Sequence, residues 1–210
     1  MDKKTGDTQS TNQKNISQTI SGKDIAEQIK KNIADKISHR IEKGLPAPGL
    51  AVIIIGNNPA SEIYVSHKQK ACEKVGIISK TISLDEKTPQ YEVQQIIEQL
   101  NQNPAIHGIL VQQPLPDHYD LAKIVQAIDP KKDVDGFHPL NVGKLALRQP
   151  SLRPCTPKGI MTILHKFCPD LHGQQVCIIG ASNIVGRPMA LECLLAGCIV
   201  TVCHKFTKDL

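Results

Sequence analysis

Between Leu50 and Ile55 the sequence reads LAVIII, a continuous apolar run of strand length with none of the alternation that marks a half-exposed strand. A strand of this kind must be covered on both faces, and a parallel sheet flanked by helices is the arrangement that covers it. The chain around it supplies the helices. Ile25, Ile29, Ile33, Ile37 and Ile41 recur every four residues from Lys23 to Lys43, one stripe of a long helix that Gly44 ends. After the central run come the strand IISKTISL (Ile77 to Leu84) and a helix opened by Thr88-Pro89, with Val93, Ile96, Ile97 and Leu100 on one side. The strand IHGILV (Ile106 to Val111) and a short helix with Leu121, Ile124, Val125 and Ile128 follow. Helix and strand alternate, so the expected class is α/β, with ligands gathered at the carboxyl ends of parallel strands.

LAVIII runs into Gly56-Asn57-Asn58-Pro59 and then SEIYVSHKQKACEKVG, Ser61 to Gly76. Ser61 is the expected helix cap and Gly76 the expected stop. Tyr64, Lys68, Ala71, Cys72 and Val75 share a face, which puts Tyr64 and Lys68 one turn apart. The rest of that face is apolar. A lysine so placed is partly desolvated, its pKa pushed toward the range useful for proton transfer, and it is a candidate acid/base. The competing reading is a lysine that snorkels from the edge of an ordinary amphipathic helix.

Two strand ends stand out. Val111 is followed by Gln112-Gln113-Pro114-Leu115-Pro116, a pair of amides at a proline-fixed loop on the rim shared with the Lys68 helix; inert, solvated glutamines are the alternative. Pro130-Lys131-Lys132-Asp133-Val134-Asp135-Gly136-Phe137 sets two aspartates on opposite sides of an extended segment. One would face the cleft, the other Lys131, Lys132 or solvent, unless the stretch is a plain charged turn. From Asn141 to Ser151 the chain reads as a connector.

A second unit opens at Arg153-Pro154-Cys155-Thr156-Pro157-Lys158-Gly159, with Thr156 as expected helix cap and Pro157 in the first turn. QVCIIG (Gln175 to Gly180) then leads through Ala181-Ser182-Asn183-Ile184-Val185-Gly186-Arg187-Pro188 into a helix to Leu195, Gly197 and the strand CIVTVC (Cys198 to Cys203). This is a βαβ unit whose turn, G-x-S-x-x-x-G-x-P, departs from the dinucleotide fingerprint G-x-G-x-x-G by a serine and one extra residue. Small residues let a pyrophosphate approach, and the helix start is expected to offer it free N–H groups. The second strand ends in Cys203-His204-Lys205, with no carboxylate for a ribose hydroxyl, so the pattern suits the extra phosphate of NADP. A βαβ unit that binds nothing is the alternative.

Composition narrows the partners. The net charge is +5, but the basic residues are dispersed and aromatics make up 3% of the chain, so no stacking platform for nucleic acid is expected. Seven cysteines, an odd number without a CxxC pair, argue for reduced thiols in a cytoplasmic protein and against a metal site. No run is long and apolar enough for a membrane span. Met1 to Thr19, rich in Ser, Thr, Gln, Lys and Asn, reads as a disordered tail, followed by domains over 20–150 and 151–210.

Taken together, NPASEIYVSHKQKACEKVGI, GILVQQPLP, PKKDVDGFHPLNVG, RPCTPKGI and GASNIVGRPM closely resemble, in order and spacing, the bifunctional methylenetetrahydrofolate dehydrogenase/cyclohydrolase family, from Ser21 to Leu210. The resemblance implies a folate site between the two α/β domains and NADP on the second, Rossmann-like one. Lys68 then falls at the family's central catalytic lysine, Tyr64 at its tyrosine, and Gln112 at the glutamine that contacts and tunes the lysine. Asp135 falls at the aspartate that holds the pterin ring, with Val111 beside Gln112 in the substrate site. Gly180, Ala181, Ser182 and Lys205 fall at the cofactor. The implied chemistry is oxidation of 5,10-methylenetetrahydrofolate by NADP and hydrolysis of the product to 10-formyltetrahydrofolate. The implied setting is one-carbon metabolism, in a homodimer.

Two departures bear on this. Many members carry arginine where this chain has Ala181, which shifts weight for the NADP phosphate onto Lys205 and Arg187. The sequence also stops at Leu210, where members continue with further strands, a Pro-Gly-Gly loop and a final helix. A non-catalytic, folate-binding or partner-binding remnant is therefore the alternative function. A different NADP dehydrogenase on the same plan would explain the βαβ unit but not the Y-x-x-x-K, Q-x-P-L-P and D-V-D-G set.

Overall fold

The computed structural model describes residues 19–208, so the tail expected over 1–19 lies, except for Thr19, outside the described residues. In chain order the elements are α1 (Gly22–Glu42), β1 (Gly49–Ile55), α2 (Pro59–Val75), β2 (Ile78–Leu84), α3 (Gln90–Gln102), β3 (Gly108–Val111) and α4 (Leu121–Ala127). They continue with α5 (Pro139–Ala146), α6 (Cys155–Phe167), β4 (Gln175–Ile179), α7 (Gly186–Leu195) and β5 (Ile199–Cys203). Strands β2, β1 and β3 form a parallel sheet in that order, with β1 at its centre, and β4 and β5 pair as a second parallel sheet.

The apolar run of β1 is buried as its pattern requires. Ala51, Ile53 and Ile55 pack with Ile109 and Val111 against Val93, Ile97 and Leu100 of α3 and Ile124 of α4. Val52 and Ile54 pack on the opposite face against Val65 of α2, with Leu110 and Val134. Consecutive residues point to opposite sides of a strand, so an uninterrupted apolar run is what two helical layers demand. In the second unit Met161, Met189 and Cys193 of α6 and α7 meet Val176, Ile178 and Val200 of β4 and β5. The isoleucine stripe of α1 does form on a helix capped by Ser21, but among its members Ile37 is buried while Ile29, Ile33 and Ile41 are exposed.

Local expectations fail at three places, each for a reason. Helix α2 starts at Pro59, not Ser61: the Ser61 N–H donates to Asn58 Oδ1 at 3.3 Å, so Asn58 does the capping. Helix α6 starts at Cys155 behind Pro154, and Thr156 makes no side-chain cap. The expected connector from Asn141 is helical up to Ala146 as the larger part of α5, with His138 Nδ1 accepting the Leu140 N–H at 3.1 Å, Pro139 in the first turn, and Asn141 and Leu145 fully buried. Mixed polarity and Gly143 hid a helix whose burial comes from packing on α7 in the second unit.

Candidate active site

Lys68 sits at the middle of α2, half-buried, and its ammonium donates to Gln112 Oε1 at 2.9 Å. Gln112 follows the last residue of β3, and its N–H is tied to Ile53 O at 2.9 Å, so the sheet itself carries the amide to the rim. Which end of that amide faces the lysine is decided by its neighbour. Gln112 Nε2 donates to Gln113 O at 2.6 Å, which leaves the acceptor oxygen for the ammonium. The flipped amide would set donor against donor. Val111 is buried in the core, supporting the glutamine from within.

Asp135 completes the cleft. Burial pushes its carboxyl up to about 6, with nearby Lys68 pulling the other way and Asp133 adding to the rise. Cys155, at the start of α6, belongs to the same group. Its thiol contacts Val134 O at 3.4 Å, and burial, then the charge of Asp135, push it upward against Lys158 and Lys68. Sequence reasoning used Cys155 only as part of a motif. Its place in R-P-C-T-P, at the start of a helix, was the signal available.

Two expected placements change. Tyr64 lies on the line of Lys68 but is 64% exposed, so the face it shares with Lys68 is not the buried one; Val65, Cys72 and Val75 form the buried stripe. Asp133 does not face Lys131, Lys132 or solvent. Residue 133 bridges Ile109 at the edge of β3 and the chain then turns sharply, carrying the carboxylate inward to 1% exposure. Lys132 instead reaches the end of α3, donating to the carbonyls of Leu100, Asn101 and Asn103 at 3.0, 2.6 and 2.9 Å. Cations at a helix C-terminus satisfy carbonyls the helix cannot.

The glycine-rich turn after β4 lines a cavity of about 860 Å³ with Gly180, Ala181, Ser182, Arg187, His204, Lys205 and Phe206. Gly180 has φ +122° with open space where a side chain would stand, while a methyl group on Gly186 would overlap the Gly180 carbonyl. The first glycine thus opens the turn, and the second lets α7 pack onto the strand end. The N-terminus of α7 is not left free, contrary to expectation. Ser182 Oγ accepts the N–H groups of Val185 and Gly186 at 3.2 and 3.3 Å, and Ser182 O takes that of Arg187 at 3.0 Å. Arg187 is also folded back, its Nε donating to Ala181 O at 3.1 Å. Lys205 lies 4.9 Å over the Phe206 ring at the cavity wall. A phosphorylated dinucleotide fits this set through small residues at 180–182 and the cations Lys205 and Arg187, more than through the helix end.

The two halves meet. A second cavity, of about 380 Å³, takes Gln113 and Phe137 from the first unit and Asn183, Ile184 and Arg187 from the glycine-rich turn. Gln113 and Phe137 are chain neighbours of Gln112 and of the Asp135 loop, so the glycine-rich turn lies against the segments that carry the amide and the carboxylate. Gly136, at φ +73°, seats this loop on the second unit: a Cβ there would lie 2.5 Å from Arg153 C and Pro154 N. Arg153 in turn pairs with the buried Glu192 of α7 at 3.0 Å, where burial pushes the glutamate up despite the guanidinium.

Comparison with known proteins agrees with this arrangement. The family model described as tetrahydrofolate dehydrogenase/cyclohydrolase, catalytic domain, matches residues 20–135, and that family's NAD(P)-binding domain model matches 154–210. The bifunctional methylenetetrahydrofolate dehydrogenase/cyclohydrolase FolD of Campylobacter jejuni is 49% identical, with TM-score 0.87 over 90% of this chain and 67% of that one. A 5,10-methylenetetrahydrofolate dehydrogenase from the silkworm Bombyx mori is 35% identical, with TM-score 0.87 over 92% and 70%. The Trypanosoma brucei dehydrogenase-cyclohydrolase, solved with NADP and an inhibitor, is 31% identical, with TM-score 0.86 over 91% and 65%. The chain spans about two thirds of the length of these proteins.

Proposed function

Starting from the fact that this chain belongs to the tetrahydrofolate dehydrogenase/cyclohydrolase family, we propose that it oxidises 5,10-methylenetetrahydrofolate with NADP and hydrolyses the methenyl product to 10-formyltetrahydrofolate. The observation that carries the reading is the Lys68 ammonium on Gln112 Oε1 at 2.9 Å, with Asp135 beside it in the cleft that adjoins the glycine-rich turn. NADP, when bound, takes the hydride released from the one-carbon bridge. Gly180, Ala181, Ser182 and Lys205 are the residues that would hold it, with Arg187 supporting the turn.

The chain's own groups divide the remaining work. Asp135, an acceptor-only group once ionised, takes the adjacent N–H donors of the pterin ring and fixes its position. Tyr64, exposed on α2 one turn before Lys68, and Val111, next to Gln112 in the chain, bound the substrate site in this reading. Gln112 holds the Lys68 amine in one orientation through its own bond to Gln113 O. In the hydrolytic step water gives up both its protons, one passing to the ring nitrogen as its C–N bond opens and one leaving to solvent as the formyl C=O forms, and Lys68 is the group given the task of moving them. Hydride transfer asks mainly for alignment of two carbons, which makes Lys68 more critical to hydrolysis than to oxidation. The seven free cysteines support a cytoplasmic location, and family resemblance supports a homodimer.

The test is absorbance at the NADPH and methenyl bands for the chain mixed with 5,10-methylenetetrahydrofolate and NADP. The expected result is NADPH formation by the wild type, and in Lys68→Met a loss of hydrolysis well beyond the loss of oxidation. Equal loss of both activities would contradict the role given to Lys68. Folate binding without turnover in the wild type would favour the binding-remnant alternative.

A further inference from the structure

The loop that carries Asp135 is governed by a second carboxylate to which the reaction above gives no task. Asp133 Oδ1 accepts the Gly136 N–H at 3.1 Å, and Oδ2 accepts the His138 N–H at 2.9 Å and Asn141 Nδ2 at 2.8 Å. Asn141 is itself 1% exposed and gives its other Nδ2 proton to Pro130 O at 2.9 Å. A buried carboxylate is tolerated when donors surround it, and here all three come from the chain just after Asp135, so the Asp133 side chain ties the start of the turn to its far end. Behind the turn Gly136 abuts Arg153 and Pro154, and on its flank Val134 contacts the inner core. The backbone on either side of Asp135 therefore has nowhere to move while Asp133 keeps its three bonds.

The geometry points to Asp133 as the positioning residue that fixes Asp135 opposite Lys68, with the buried Asn141 amide as its clamp. The inference rests on the proposed reading of Asp135 as the folate-binding carboxylate. It carries an electrical consequence as well. The groups that face Asp135 are Lys68 from α2, Cys155 from α6, and Asp133 on its own loop. Asp133 is the negative neighbour among them, so its charge makes Asp135 harder to ionise, and neutralising it makes Asp135 easier to ionise.

The experiment measures kcat and KM for 5,10-methylenetetrahydrofolate between about pH 5 and 8 for the wild type, Asp133→Asn and Asn141→Ala, with thermal melts of each. In Asp133→Asn the amide can keep an oxygen for His138 and Asn141 only by turning its nitrogen onto the Gly136 N–H, so one bond of the turn is lost in either orientation. KM should rise on the order of 10- to 100-fold with a smaller change in kcat, and the acid limb of kcat/KM should move to lower pH. Asn141→Ala keeps the charge, so its KM should rise with the acid limb unmoved. Folded variants with wild-type KM would overturn the proposal. So would a raised KM in Asp133→Asn with an unmoved acid limb, the signature of a merely structural residue. If Asp133→Asn does not fold, Asn141→Ala decides: raised KM with kcat retained supports the proposal, and unchanged KM overturns it. A wild type that neither binds nor turns over the folate would overturn the functional reading along with it.

Discussion

Replacing Asp135 by Asn should make the protein more stable while impairing folate binding. The Asp135 carboxyl is held near 6 in the folded state against an ordinary value of 3.8, chiefly by burial that the favourable field of Lys68 does not offset. Above its unfolded value the side chain is ionised in the unfolded chain but still binds its proton in the folded one. Stability is therefore lost as pH rises from about 4 to about 6, and the loss is complete above that. A shift of about two units corresponds to about 3 kcal/mol at pH 7, falling to about 1 kcal/mol near pH 4.5. Asparagine resembles the neutral acid and escapes the penalty. Urea unfolding of wild type and Asp135→Asn at both pH values measures the difference directly, since other titrating groups cancel between the two proteins. Equal stabilities at pH 7, or a difference that does not shrink on acidification, would refute the argument. Tetrahydrofolate affinity of the same variant, measured by calorimetry, should fall, placing the stabilised protein on the stability–function trade-off.

Gly186→Ala drives a methyl group onto the Gly180 carbonyl and should weaken NADP binding at least ~10-fold by calorimetry while leaving folate binding intact. Lys132→Met strips the three carbonyls at the end of α3 of a charged donor, and should cost ~1.5–3 kcal/mol in denaturant unfolding. Arg153→Met leaves Glu192 buried without its cation and should cost ~3 kcal/mol, a loss that adding Glu192→Gln should largely recover in a double-mutant cycle. Leu145→Ala opens a cavity beneath α5 and should cost ~2–5 kcal/mol by the same unfolding measurement.

Much of the candidate site was legible because its signals are local. A lysine on a helix bounded by Gly76, an amide pair after a strand, and alternating aspartates before a glycine each declare themselves within a few residues. Local signals mislead where local rules compete. Ser61 was a plausible cap, but Asn58 and Pro59 stand ahead of it and start α2 earlier. Gly143 and polar neighbours hid α5, whose stability comes from burying Asn141 and Leu145. Ser182 looked like a stand-in for a fingerprint glycine, whereas its hydroxyl caps α7 and takes amides that were expected to face the pyrophosphate.

The sequence by itself determined the α/β class, the buried central strand and the residue types available for chemistry, because periodicity and capping act over a few residues. Tertiary structure alone decided what those residues face. Gln112 meets Lys68 across 44 positions of chain, and its orientation depends on a carbonyl that only the folded loop presents. Asp133 and Asp135 differ by two positions yet end as a fully bonded anchor and a carboxyl that burial makes harder to ionise. Hydrogen bonding and desolvation are set by whatever surrounds a group in three dimensions, and identical side chains close in sequence diverge once their surroundings do.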